Sequence, residues 1–171
     1  MLTLFFGCAK PVDFNQLDDL TLLPVMETSI IFYNATAGDF FVGGQEENVA
    51  QDFVFIDVFN NGFVQDNLVR AEFVFETKNS INRAYSLQLD FLDVGGALLE
   101  SFSINSPASP NNEVVASEHS EVFEGATLAN IKQSRILVFT LEMLPGAPIN
   151  QNSPGEIDLK SKGIFHLSLG E

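Results

Sequence analysis

Residues 70–104 read RAEFVFETKNSINRAYSLQLDFLDVGGALLESFSI. Alternation places Ala71, Phe73 and Phe75 on one face of an extended segment, and Tyr85, Leu87, Leu89 and Phe91 on one face of the next. Asp93-Val94-Gly95-Gly96 breaks the pattern before a third run, Leu98 to Ile104. A Gly-Gly pair supplies the positive φ that a tight hairpin requires. Three strands, each with one buried side, set an all-β expectation for the whole chain.

Toward the N-terminus, Phe53 to Phe59 is apolar on both faces apart from Asp57, which predicts a strand central to a sheet. Asn60-Asn61-Gly62 is a turn. Gly38 to Asn48 reads as a loop carrying three consecutive apolar residues, Phe40, Phe41 and Val42. Val25 to Asn34 reads as a first strand, with Met26, Thr28, Ile30 and Phe32 on one face. Toward the C-terminus, residues 105–112 have loop composition. Glu118 to Glu124 is a sparse strand that suits an edge. Gly125 to Gln133 fits a helical turn pinned by Leu128 and Ile131. Arg135 to Leu144, apolar on both faces, predicts a central strand, and Ile157 to Leu169 a last one. The sum is an Ig-like or fibronectin-like antiparallel β-sandwich of seven or eight strands over residues 25–171, preceded by a tether over residues 1–24.

Composition narrows the functional classes. The chain has 171 residues, enough for one domain with a substantial core, and 46% of them are hydrophobic. Seventeen Phe against two Tyr and no Trp point to rings that fill a core, since Phe has no polar handle. A formal net charge of −15 argues against nucleic acid and against docking on anionic lipid through a basic patch. No apolar run reaches the roughly twenty residues that a membrane-spanning helix needs.

Catalytic and metal chemistry find little support. The single cysteine, Cys8, excludes an internal disulfide and any Cys-rich zinc site. Asp52, Asp57, Asp66, Asp90 and Asp93 raise the question of calcium, but no short loop alternates oxygen ligands around a turning glycine. Asp90 belongs to the polar face of its strand, and Asp93 caps the following turn. His119 and His166 are separated, exposed and without partners at ligand spacing. No serine sits in a Gly-x-Ser-x-Gly turn, and no glycine-rich loop opens a helix. A sugar-binding cleft would offer Trp or Tyr for stacking, and the chain has almost none. Neither a metal nor a cofactor is expected.

Met1-Leu2-Thr3-Leu4-Phe5-Phe6-Gly7-Cys8-Ala9-Lys10 resembles the tail of a bacterial lipoprotein signal. The resemblance implies a diacylated Cys8 as mature N-terminus and a basic segment ahead of Met1. A Cys-led tether followed by an acidic, Phe-rich sandwich with an Asp-x-Gly-Gly hairpin is similar to the small lipoproteins of Bacteroidota cell envelopes. That likeness implies a non-catalytic envelope component anchored to the outer membrane and working through a protein partner. Phe40, Phe41 and Val42 are the expected partner contacts, because three consecutive apolar residues in an extended chain cannot all face one core. The alternative is a ligand-binding module, for glycan or for calcium-dependent adhesion, with an enzyme third.

Overall fold

The computed structural model describes residues 22–169. Its strands are β1 (Val25–Thr36), β2 (Phe41–Val42), β3 (Gln45–Glu46), β4 (Val49–Phe55), β5 (Leu68–Asn79), β6 (Tyr85–Leu92), β7 (Leu98–Ser106), β8 (Val115–Phe123), β9 (Ile136–Met143) and β10 (Glu156–Leu167). Two short helices, α1 (Gly62–Asn67) and α2 (Gly125–Gln133), complete the set with two 3-10 turns. One sheet runs β1-β10-β5-β8 and the other β4-β9-β6-β7, and β2 and β3 form a separate ribbon. Every pairing is antiparallel.

The antiparallel sandwich expected from the sequence is present, built on eight long strands. Its pairings nest: β6 with β7, β5 with β8, β4 with β9 and β1 with β10. The chain is thus one long hairpin folded over on itself, the winding of a jelly roll. The tip of that hairpin is the turn after β6. There Asp93 Oδ1 accepts from the N–H groups of Gly95 and Ala97, both at 2.8 Å. Gly96 takes φ 83°, a backbone shape that side-chain-bearing residues avoid.

Between the sheets lies a core of phenylalanine. Phe73 meets Phe91, Phe123 and Phe165 edge to face at centroid distances of 5.2, 5.6 and 6.0 Å, and Phe59 packs on Phe165 at 5.8 Å. Such pairs add to burial because ring edges are positive and faces negative. The alternating runs of β5 and β6 supply this layer as the sequence predicts, with Ala71, Phe73, Phe75, Leu89 and Phe91 fully buried. Central β9 and edge β8 also stand as expected.

Two readings change. Phe53 to Phe59 is not a central strand: β4 ends at Phe55, lies at a sheet edge and exposes Phe53 and Phe55. Ile56 and Phe59 are buried from a 3-10 turn at Asp57–Asn60 instead. Apolar residues here belong to two structures in succession, which mimics one strand buried on both faces. In β1 a bulge between Ser29 and Phe32 reverses the alternation. Met26, Thr28 and Ile30 keep the inward side, whereas Phe32 turns outward and is 72% exposed. The bulged Ile31 N–H donates to the Ser161 hydroxyl at 3.0 Å.

The two ends of the sandwich differ. At one end, called proximal, the chain enters at Leu22, which pairs with Leu169. The β6–β7 turn, α1 and α2 lie there too: Ser168 N–H donates to Asn67 O, Lys132 Nζ to Gln65 O, and Arg135 N–H to Leu92 O. At the distal end Arg83, only 5% exposed, ties three loops together. It donates to Leu144 O and Ala147 O, each at 2.8 Å, and pairs with Glu46 at 3.2 Å. Glu46 in turn accepts the Ile149 N–H at 2.7 Å, which fixes the β2–β3 ribbon over the end of the core.

Candidate functional site

A sandwich leaves two flanks where the edges of its sheets face one another. Here β7 and β8 border one flank and β1 and β4 the other. Their chemistries are opposite.

The β7–β8 flank is polar. On β8 the residues that alternate toward the interior are Ser117, His119 and Glu121, and their β5 partners are Thr77, Phe75 and Phe73. Inward-pointing polar and charged groups on an edge strand discourage further strands from pairing. His119 stacks on Phe102 with centroids 5.9 Å apart, and its Nε2 donates to the Glu121 carboxylate at 3.1 Å. Beside them is a slot of about 200 Å³ lined by Thr77, Ser103, Asn105, Ser117 and His119. Thr77 Oγ1 donates to Ser106 at 3.1 Å and accepts from the Ser117 hydroxyl at 2.6 Å.

Apolar character dominates the β1–β4 flank. The outward side chains of β4 are Val49, Gln51, Phe53 and Phe55, and Val49, Phe53 and Phe55 are 55%, 54% and 68% exposed. The Phe53 and Phe55 rings meet edge to face at 5.5 Å. Register extends the patch across the sheet: Phe53 lies opposite Val138, and Phe55 opposite Ile136, which pairs with Leu92, which pairs with Leu98. Between β1 and β4 a slot of about 150 Å³ reaches Phe165 in the core, lined by Thr28, Ile30, Val54, Phe55 and Asp57. The β4 strand VAQDFVF carries no Lys, Arg or Pro. Its one charged residue, Asp52, accepts the N–H of Phe53 at 2.8 Å.

On the outer face of the other sheet Arg70 bridges Glu72 at 2.8 Å and Glu124 at 3.0 Å, and its guanidinium lies 2.8 Å from His166 Nε2. The Ser120 hydroxyl, then Arg70, holds the Glu72 carboxyl below the usual range. This network joins three sequence-distant segments, β5, the end of β8 and β10. It is a surface ion-pair cluster, worth little to stability. Among the described residues no three His, Cys, Asp or Glu side chains gather to hold a metal.

The expected contact residues separate. Phe40 is a core residue, 2% exposed with its ring 5.1 Å from Tyr85, so it is not a partner contact. A 3-10 turn at Ala37–Phe40 delivers it inward, where Asp39 accepts from the Thr36 backbone and hydroxyl. Phe41 is half-buried, and Val42, at 55%, is the exposed member of the three. Cys8 lies outside the described residues. Phe53 and Phe55 lie in an apolar run that reads as burial, and the signal of an edge is Asp52 and Asp57, charges that bracket them at the strand's end.

No family model and no curated protein matches the chain. Among solved structures, a protein of Parabacteroides distasonis described as secreted is 16% identical, with a TM-score of 0.42, over 67% of this chain and 36% of that one. The infectious bursal disease virus VP2 subviral particle is 7% identical, with a TM-score of 0.39, over 90% of this chain and 34% of the other. A CBM4 structure is 7% identical, with a TM-score of 0.32, over 81% and 86%. The chain spans about a third of the length of the first two. At these scores the likenesses lend nothing to a reading of activity.

Proposed function

We propose that the chain is a non-catalytic contact module of a bacterial cell envelope, lipid-anchored through Cys8, that holds a protein partner by strand addition along β4. The observation that carries this reading is the β4 edge: exposed Val49, Phe53 and Phe55 on a strand with no Lys, Arg or Pro, whose one charge, Asp52, caps the Phe53 N–H and must release it when a strand is added. An added strand gains main-chain hydrogen bonds from the edge and selectivity from pockets beside it. The slot to Phe165 is such a pocket, and the exposed Phe53 and Phe55 rings offer apolar contacts beside it. Asp52 and Asp57 on the edge, in a chain of net charge −15, favour a partner segment whose polar positions are basic.

The test is a pull-down from native membranes with Phe53→Ser and Phe55→Ser together, followed by hydrogen exchange on the complex. Both rings are more than half exposed, so stability should shift by only about 0.5 kcal/mol while the partner is lost. Bound partner should also slow exchange at β4 amides. Retention of the partner by the double variant, or unchanged β4 exchange on binding, overturns the reading. The anchor is tested separately, by mass spectrometry of the native Cys8 peptide. A glycan-binding module is the second reading, favoured by the polar slot with its Phe102–His119 stack; titration with envelope oligosaccharides and Ser117→Leu tests it.

A further inference from the structure

The exposed apolar side chains concentrate at the proximal end. Leu22 is 53% exposed, Leu23 69%, Phe63 51%, Val94 86% and Leu98 59%. They stand on separate segments: the chain start, the first turn of α1, and the β6–β7 hairpin tip and its exit. Register and backbone bonds bring these segments around one end, through the Leu22–Leu169 pair, the Ser168–Asn67 bond and the Leu92–Leu98 pair. Polar residues share this end with them, Asn61 as the N-cap of α1, Gln65 on α1 and Asn130 on α2, so the apolar tips are carried by separate segments among polar ones.

A shaped protein surface needs contiguous area to bury. A bilayer interface does not, because fluid acyl chains and headgroups fit around separate side chains. Position supports the same occupant. From Cys8 to Leu22 the chain spans at most about 50 Å when fully extended, so an anchor there holds the end at which the chain enters within that distance of the bilayer. The surface charges nearby include Asp57, Asp66 and Glu124, which disfavour an anionic leaflet.

We propose that the proximal end seats in a zwitterionic bilayer interface, with Val94, Phe63, Leu23 and Leu98 entering the boundary between headgroups and acyl chains. This orientation rests on the lipid-anchor reading. It stands β4 upright, with Phe55 toward the membrane and Val49 away from it, leaving the strand open to a partner along its side.

The chain contains no Trp and one Cys, which makes the test direct. Full-length single-Trp variants, Val94→Trp, Phe63→Trp and distal Val114→Trp, are coupled through Cys8 to maleimide lipid in phosphatidylcholine vesicles. Brominated phosphatidylcholine then reports depth by quenching. The expected result is loss of emission from Val94→Trp and Phe63→Trp with Val114→Trp unaffected, and weaker quenching of Phe63→Trp when Val94→Asp is added. Absence of proximal quenching, or equal quenching at both ends, overturns the proposal. So does a blue shift of proximal Trp emission with protein concentration before vesicles are added, which would show a second copy covering this end. Coupling supplies the anchor chemically, so an unmodified native Cys8 would sink the anchor reading while leaving this measurement interpretable. Val94 sits at an exposed turn tip, and unchanged thermal unfolding of each variant shows that it folds.

Discussion

Tyr85 is fully buried against Phe40, and its hydroxyl has no hydrogen-bond partner among the described residues. Burial pushes its phenol pKa upward, so the group stays neutral. An unpaired buried hydroxyl costs about 1–3 kcal/mol. Tyr85→Phe should therefore match the parent or exceed it by about 1 kcal/mol in urea unfolding; a clear loss would mean that the hydroxyl is satisfied. Glu46 makes the reverse case. The Ile149 N–H, and then Arg83, hold its carboxyl below the ordinary range, as the Thr36 hydroxyl and backbone do for Asp39. A carboxyl depressed on folding adds stability above its unfolded pKa, about 4.3 for Glu, and that contribution is lost as pH falls through the lower folded value. Unfolding midpoints measured from neutral pH downward should fall in acid, and Glu46→Gln should fall less steeply. An equal slope would remove Glu46 from the acid response.

The loop from β9 to β10 crosses the β5–β6 connection at Gly155, where φ is 104° and an added Cβ would come within 2.4 Å of the Ser80 carbonyl oxygen. Both conformation and space forbid a side chain, so Gly155→Ala should cost more than about 2 kcal/mol in thermal or denaturant unfolding. The β1 bulge depends on Ser161, which is 7% exposed and accepts the Ile31 N–H. Ser161→Ala should cost about 1–2 kcal/mol, with backbone exchange near Ile31 accelerated. Neither feature is visible in the sequence. Gly155 lies in a stretch that reads only as a proline-rich loop, because the Ser80 backbone that crowds it comes from far along the chain. Period two carries β5, β6 and β9 correctly, yet a bulge shifts it by one residue with no compositional mark, and Phe32 changes sides. Phe53 and Phe55 show the same limit: an edge exposes what local hydrophobicity assigns to a core.

At the scale of the whole molecule, the class of fold and the tip of the hairpin are legible in the Asp93–Gly96 turn and its two flanking runs. The winding is not, since nesting β1 on β10 depends on contacts between chain ends that no local pattern encodes. Of the candidate surface, the sequence offers Phe40, Phe41 and Val42 without telling which is exposed, and misses the β4 edge, because edge status is a property of the sheet.

The pairing of the first long strand with the last also decides how the domain bears force. Drawn apart at Leu22 and Leu169, which sit side by side at one end, β1 and β10 open like a zipper, one bond at a time, at low load. Pulled instead between the proximal end and a partner held farther along β4, the same strands must slide past each other, and the bonds between them yield together. The attachment point, more than the strength of any single contact, sets whether the domain peels or holds.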